Sequence, residues 1–256
     1  MVERELTVTE QKQRAYYNRI AGKYDDHFAS PAALQYRAAV LDSLFRHVAV
    51  EGQSALDAMC GGGENTHYLI GKGAVVTGLD ISEKQCEIYR RRFPGCRVTC
   101  ASILATNLDD RSFDLVMTES LHHLHPYVDQ AVAEIGRVLK PGGLFVLWEP
   151  PAGAIPDFFR KIWYRLDQRY FEENERSIDV RVLRKRHDRT FEMLRCLYGG
   201  NVAHVFVQGS IFFRIPPSWV RFYAPALIRL DRALQILQTR LTSCWVLALF
   251  QKRGIA

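Results

Sequence analysis

Residues 56–66 read LDAMCGGGENT, an aspartate near the tip of an apolar run, then three consecutive glycines, then a segment with helical character. In open α/β sheets, ligands bind beyond the carboxyl ends of the strands, where strand order reverses. The turn after the first strand is such a point. Glycines there remove side chains, so a bulky ligand can touch the backbone, and the helix that follows offers unpaired N–H groups to an anionic group. Gly61 and Gly63 suit that task. A second apolar run ends at Asp80, 23 residues after Asp57. That is about the interval at which an acid at a strand tip reaches the two hydroxyls of a ribose. The pair implies a nucleoside.

Outward from this stretch, short apolar runs alternate with amphipathic segments, which is the pattern of a parallel sheet covered by helices. Strands are expected at 54–59, 74–80, 96–102, 113–120 and 143–149. Between them, helices start near Glu64, after Ser82 as N-cap, and at PYVDQAVAEIGRVLK with Pro126 in its first turn. KPGG at 140–143 is expected to end that helix and turn into the next strand. Ahead of the sheet, TVTE offers a capping box for one helix, and Ser30-Pro31 starts another. Both are free to lie over the sheet as a lid, residues 1–50, on a main domain of 51–256. Beyond Glu149, helical insertions are expected at about 151–200 and 211–242, with the last two strands at NVAHVFVQGS (201–210) and CWVLALFQ (244–251).

A dinucleotide fingerprint needs GxGxxG, and from Gly61 the chain reads GGGENT, with Thr66 in the third glycine's place. Read instead as D-x-x-x-G-x-G followed by GLDIS, the two strand tips resemble the first motifs of the class I S-adenosylmethionine-dependent methyltransferases. SFDLVMTESLHHL resembles that family's fourth-strand motif, and RVLKPGGLFVLWEP its junction of helix and fifth strand. YYNRIAGKYDDHF is similar to the segment preceding the core in the small-molecule branch. The resemblance covers residues 16–150. It implies a Rossmann-like α/β fold, a seven-stranded, mostly parallel sheet of order 3-2-1-4-5-7-6 with the last strand antiparallel and helices on both faces. The cofactor it implies is S-adenosyl-L-methionine, with S-adenosyl-L-homocysteine as product.

By the same resemblance, Asp57, Gly61 and Gly63 line the methionine end of the cofactor, Asp80 holds the ribose, Ile81 packs on adenine, and Ser102 and Ile103 bracket its edge. Two positions depart from the family: Met59 stands where glycine is usual, and Ser102 where aspartate is usual. Tyr16 and Tyr24, eight residues apart on the first helix, are expected to share a face over the cofactor, with Tyr17 left to packing. Methyl transfer is an in-line displacement that asks the protein to position, exclude water and sometimes take a proton. Glu119, at a strand's carboxyl end, and His123, whose neutral imidazole accepts a proton near pH 7, match positions beside the acceptor in related phosphobase methyltransferases. They are the catalytic candidates, Glu119 also touching the cofactor. Glu119, His122 and His125 could cluster, but their spacing matches no helical ligand pair, and no metal is expected.

Composition bounds the rest. The 256 residues suit one sizeable α/β domain. The start, MVERELTVTEQKQR, has no secretion-signal pattern, so a cytoplasmic protein is expected. Six cysteines (Cys60, Cys86, Cys96, Cys100, Cys196 and Cys244) show no CxxC spacing and are expected to be reduced. Residues 1–150 hold 16 Lys and Arg against 19 Asp and Glu, whereas 151–256 hold 18 against 9. This basic tail interleaves arginines with Trp163, Tyr164, Phe212, Phe213, Trp219 and Tyr223. It suits an amphiphilic small-molecule acceptor bearing a hydroxyl or amine, such as a natural product, sugar or lipid-linked compound, and peripheral contact with anionic lipid, although a solvated helical subdomain explains it too. No run is apolar and long enough to span a bilayer. Nucleic acid is disfavoured as partner because no base-amino signature or appended binding module is present. Two alternatives stay open, an RNA or protein methyltransferase of the same fold and a non-catalytic cofactor-binding protein. A monomer or a homodimer is expected.

Overall fold

The structure, a computed structural model, describes residues 4–166 and 175–254, without the side chains of 163–166. Trp163 and Tyr164 therefore fall outside the described side chains. The elements run α1 (Val8–Phe28), α2 (Pro31–Phe45), β1 (Ser54–Ala58), α3 (Glu64–Gly71), β2 (Val75–Asp80), α4 (Glu83–Arg92), β3 (Arg97–Cys100) and β4 (Phe113–Thr118). They continue with α5 (Val128–Val138), β5 (Leu139–Glu149), α6 (Ile155–Leu166), α7 (Val180–Arg186), β6 (Phe191–Gly199), α8 (Pro217–Leu234) and β7 (Trp245–Lys252). The seven strands form one sheet ordered β3-β2-β1-β4-β5-β7-β6, with β7 antiparallel to both neighbours. This is the expected topology, and it puts the reversal of strand order between β1 and β4.

Local signals start the helices where expected. Thr7 and Glu10 form a reciprocal capping box at 3.2 and 2.7 Å, and the Ser30 and Ser82 side chains accept from backbone amides of α2 and α4. The sheet alternation then divides the core in two, because successive strand side chains point to opposite faces. Ala55, Met117, Val146, Trp148 and Leu247 join α2, α3 and α8 on one face, while Leu56, Val116, Phe145, Leu147 and Val246 join α5 and α7 on the other.

Three expectations give way. Residues 201–210 do not form a strand: His204–Gln208 is one wide helical turn, and the edge position belongs to Phe191–Gly199. The Asp231 carboxylate accepts from the Asn201 and Ala203 amides at 3.0 and 3.1 Å, and Ala203 and Val207 are buried against α2 and α8, so the segment coils. KPGG does not turn between helix and strand; β5 starts at Leu139 and bulges through it, its pairing with β4 jumping from Leu139 to Leu144 opposite Phe113 and Leu115. Finally, α5 begins at Val128 rather than Pro126, after a separate single turn at Leu121–His123.

Candidate active site

The glycine loop is held by what surrounds it. Met59 and Gly61 take left-handed backbone (φ 61° and 53°), so at Met59 a side chain is carried in a conformation natural to glycine. Asp80, at the tip of β2, accepts from the Gly61 amide with one oxygen (2.9 Å) and from the Ser82 amide with the other (2.8 Å). It thus ties the loop to the start of α4. Burial pushes its carboxyl up to about 6 against these bonds. Gly62 has a different task. A Cβ there would overlap Asp25 of α1 and stand 2.9 Å from Arg92 Nη1. Arg92 donates to the Gly62 carbonyl at 2.8 Å and to Asp25 at 2.6 Å, which clamps α1 and α4 over the loop. A Cβ on Gly63 would overlap the Phe93 ring.

A narrow cleft opens above this loop, lined by Met59, Gly61, Asp80, Ile81, Ser102, Ile103 and Glu119, with Glu10, Gln13, Tyr17 and Tyr24 from α1. At about 50 Å³ it has room for about four waters. Asp57 is not part of the lining. It is fully buried beneath the loop, accepting from the Thr66 amide at 2.9 Å and the Thr66 hydroxyl at 2.8 Å, and burial pushes it up to about 7. Gly63 and Tyr16 are also absent from the lining, and Tyr17 takes the place expected of Tyr16. The rings of Tyr17 and Tyr24, seven residues apart, meet edge to face at 5.9 Å.

Glu10 brings a carboxylate to the end where Ser102 stands for an acid. It is 1% exposed and accepts from the Ser102 hydroxyl. Burial works against its charge, yet bonds from Ser102, Arg4 and Thr7 outweigh burial and hold it below the usual carboxylate range. At the other end, Glu119 is gripped by both terminal nitrogens of Arg37, one at 2.9 Å. Arg37 is buried on α2, donates to Asn65 at 2.6 Å and lies 5.0 Å above the Trp148 ring. Burial opposes its charge, but Glu119 more than compensates and its pKa rises.

Tyr17, Tyr24, Glu119 and Ser120 also line a second cavity of about 220 Å³, together with Tyr16, Phe28, His122, His123, Trp148, Arg160 and Glu175. His123 Nε2 lies 3.1 Å from the Tyr17 hydroxyl, and its Nδ1 lies 3.3 Å from Glu175. His122 Nδ1 meets the buried Glu149 at 2.6 Å. Burial depresses the imidazole and lifts Glu149 to about 8, so the pair favours its uncharged forms. Donor atoms of His122, His123 and Glu175 lie within 4.8 Å of one another, a grouping that includes neither Glu119 nor His125. A third cavity of about 260 Å³ adjoins the second through Pro150, Arg160, His204 and Phe212, and is walled by Pro151, Pro156, Phe159 and Phe213. Cleft, histidine cavity and apolar cavity form a row. The six cysteines are free thiols.

The sheet order, the reversal point and the loop define a class I, Rossmann-like methyltransferase fold. Residues 56–147 match the family described as a methyltransferase domain. Among curated relatives, a fatty-acid O-methyltransferase of Mycolicibacterium smegmatis is 27% identical over 69% of this chain and 61% of its own. The malonyl-acyl-carrier-protein O-methyltransferase of Salmonella typhimurium is 30% identical over 63% and 62%. This chain therefore spans about three fifths of the length of these relatives. Among solved structures, the (4+2)-cyclase SpnF overlays at a TM-score of 0.66 with 18% identity, covering 96% of this chain and 97% of its own. The 1,6-didemethyltoxoflavin-N1-methyltransferase of Burkholderia thailandensis, solved with S-adenosylhomocysteine, overlays at 0.57 with 15% identity, covering 99% and 94%. No described helix is long and apolar enough to cross a membrane.

Proposed function

We propose that this chain binds S-adenosyl-L-methionine in the cleft and methylates an oxygen or nitrogen of a small amphiphilic acceptor. The observation that carries this is Asp80: a buried carboxylate at the reversal point, each oxygen bonded to one backbone amide and facing the cleft, suited to accept from ribose hydroxyls. The bare Gly61 backbone lets the ligand lie against the loop, Ile81 and Ile103 offer apolar faces for adenine, and Glu10 with Ser102 accepts from its amino group. When bound, the sulfonium supplies an electrophilic methyl group.

The chain's own residues do the rest. Glu119, fixed in place by Arg37 at the end of the cleft, offers its remaining acceptor capacity to the ligand's ammonium. His123 is held on the acceptor side by Tyr17 and Glu175 and would take the proton released by a hydroxyl or amine on methylation, the displaced thioether being the leaving group. Helices α1 and α2 act as the lid, and the segments around 151–200 and 211–242 shape the acceptor site. The apolar third cavity fits an acyl or other hydrocarbon portion, in keeping with the relatives that act on fatty acids and malonyl-acyl-carrier protein. Incubation with methyl-labelled cofactor and a panel of long-chain acids, hydroxylated lipids and amines, read by mass spectrometry, should yield a labelled amphiphile. Absence of cofactor uptake by calorimetry would overturn the proposal; uptake with label appearing only in RNA or protein would replace its acceptor.

A further inference from the structure

Helix α8 packs on the core through Val220, Ala224 and Ile228, four residues apart. Its opposite face ought to be polar in a solvated helix. Instead Trp219, Phe222, Ala226, Leu230 and Ala233 follow one another at helical spacing along the exposed side, and the stripe continues into Ile236 and Leu237. Trp219 is 68% exposed, Phe222 74% and Ile236 88%. The exposed Arg221, Arg229 and Arg232 run along one flank, with Arg221 4.7 Å above the Phe222 ring. Asp231, the single acid of α8, is turned away onto the Asn201 and Ala203 amides.

A second exposed apolar stripe, Ile155, Phe158, Phe159 and Ile162 on α6, lies across the apolar cavity, since Phe159 and Phe213 both line it and Phe206 stacks on Phe213. Tyr223 of α8 donates to the Phe206 carbonyl at 2.8 Å, which joins α8 to that wall.

We propose that the outer face of α8 docks on an anionic lipid bilayer, the aromatic stripe entering the headgroup boundary and the arginines meeting lipid phosphates. An exposed apolar stripe flanked by cations and lacking acids is the composition of a helix that lies in a membrane interface. A second copy of this chain fits less well, because it brings another arginine row into the contact, and Asp42, the acid near Arg232, is already engaged by Lys72 and Tyr68. The surface is independent of the methyl-transfer proposal, and its test needs no cofactor.

The test is flotation of the full chain with phosphatidylcholine vesicles, with and without phosphatidylglycerol, at low and high salt. Partitioning should require phosphatidylglycerol and fall as salt rises. Arg221→Gln with Arg229→Gln should weaken it about thirtyfold, about fivefold per arginine. Trp219→Ser with Phe222→Ser should abolish it while thermal midpoint and S-adenosylhomocysteine affinity stay unchanged, as expected of exposed residues outside the cleft. Equal binding to neutral vesicles, no binding at low salt, or binding indifferent to both variants would overturn the proposal. So would a dimer in sedimentation equilibrium that the Trp219 and Phe222 changes dissolve.

Discussion

Replacing Asp80 by asparagine separates a role in ligand binding from a role in the fold. The carboxyl stands at about 6 rather than its usual 3.8, so burial opposes its ionisation by about 3 kcal/mol near neutral pH. Asparagine removes that opposition. Its NH₂ group, however, must face either the Gly61 amide or the Ser82 amide, each now bonded to a carboxylate oxygen, and an amide left without an acceptor costs about 1–3 kcal/mol. The two effects nearly cancel, and unfolding stability at pH 7.5 should change by less than about 2 kcal/mol. Ligand affinity has no such offset. Two hydroxyl bonds to a charged acceptor, each contributing about 1.5–3 kcal/mol, become at best one bond to a neutral one, so binding should weaken by about 2–4 kcal/mol, roughly 30- to 1000-fold. Calorimetry with S-adenosylhomocysteine measures this without turnover. The ribose donates to the ionised form, so wild-type affinity should be flat above pH 7 and fall as pH drops through about 6, while the asparagine variant shows no such fall. The fold responds with the opposite sign: an acid whose folded pKa is raised contributes less stability as pH rises from about 4 to about 6. Affinity within threefold of wild type, or a variant that keeps the pH dependence, would refute the ribose assignment.

Gly62→Ala should displace the ends of the Asp25 and Arg92 side chains and cost about 0.5–1.5 kcal/mol in urea unfolding, with weaker cofactor binding because the bond between α1 and α4 over the loop is loosened. His123→Ala should lower kcat by about 10²–10⁴ while S-adenosylhomocysteine affinity stays within threefold; unchanged turnover removes it from the mechanism. Glu119→Gln strands the buried Arg37 guanidinium and should cost about 3–5 kcal/mol, most of it recovered in the double variant with Arg37→Met. Strictly additive stabilities would show that the two residues do not act as a pair.

What the chain betrays of itself in one dimension is what local chemistry decides. The capping box at Thr7, the N-caps at Ser30 and Ser82 and the glycine loop are contacts between near neighbours, and all stand where expected. Edge strand β6 escaped notice because Glu192 and Arg195 interrupt its apolar pattern, whereas NVAHVFVQGS alternates like a strand and is coiled by an acid thirty positions away together with burial of Ala203 and Val207 against distant helices. Glu10 was legible as a cap but not as the carboxylate partner of Ser102, a contact across 92 positions. The Arg37–Glu119 pair, 82 apart, was hidden for the same reason. The choice of Tyr16 over Tyr17 shows how fine the margin is. Seven residues return within about 20° of the same helix face and eight overshoot by about 80°, so Tyr24 shares its face with Tyr17.

Tyr17 and Tyr24 form a party wall, one surface turned to the nucleoside cleft and the other to the histidine cavity. A single excursion of α1 therefore unlatches both chambers together. The spent nucleoside and the methylated product should wait on one common opening rather than leave in an obligatory order, and added viscosity should slow both releases alike.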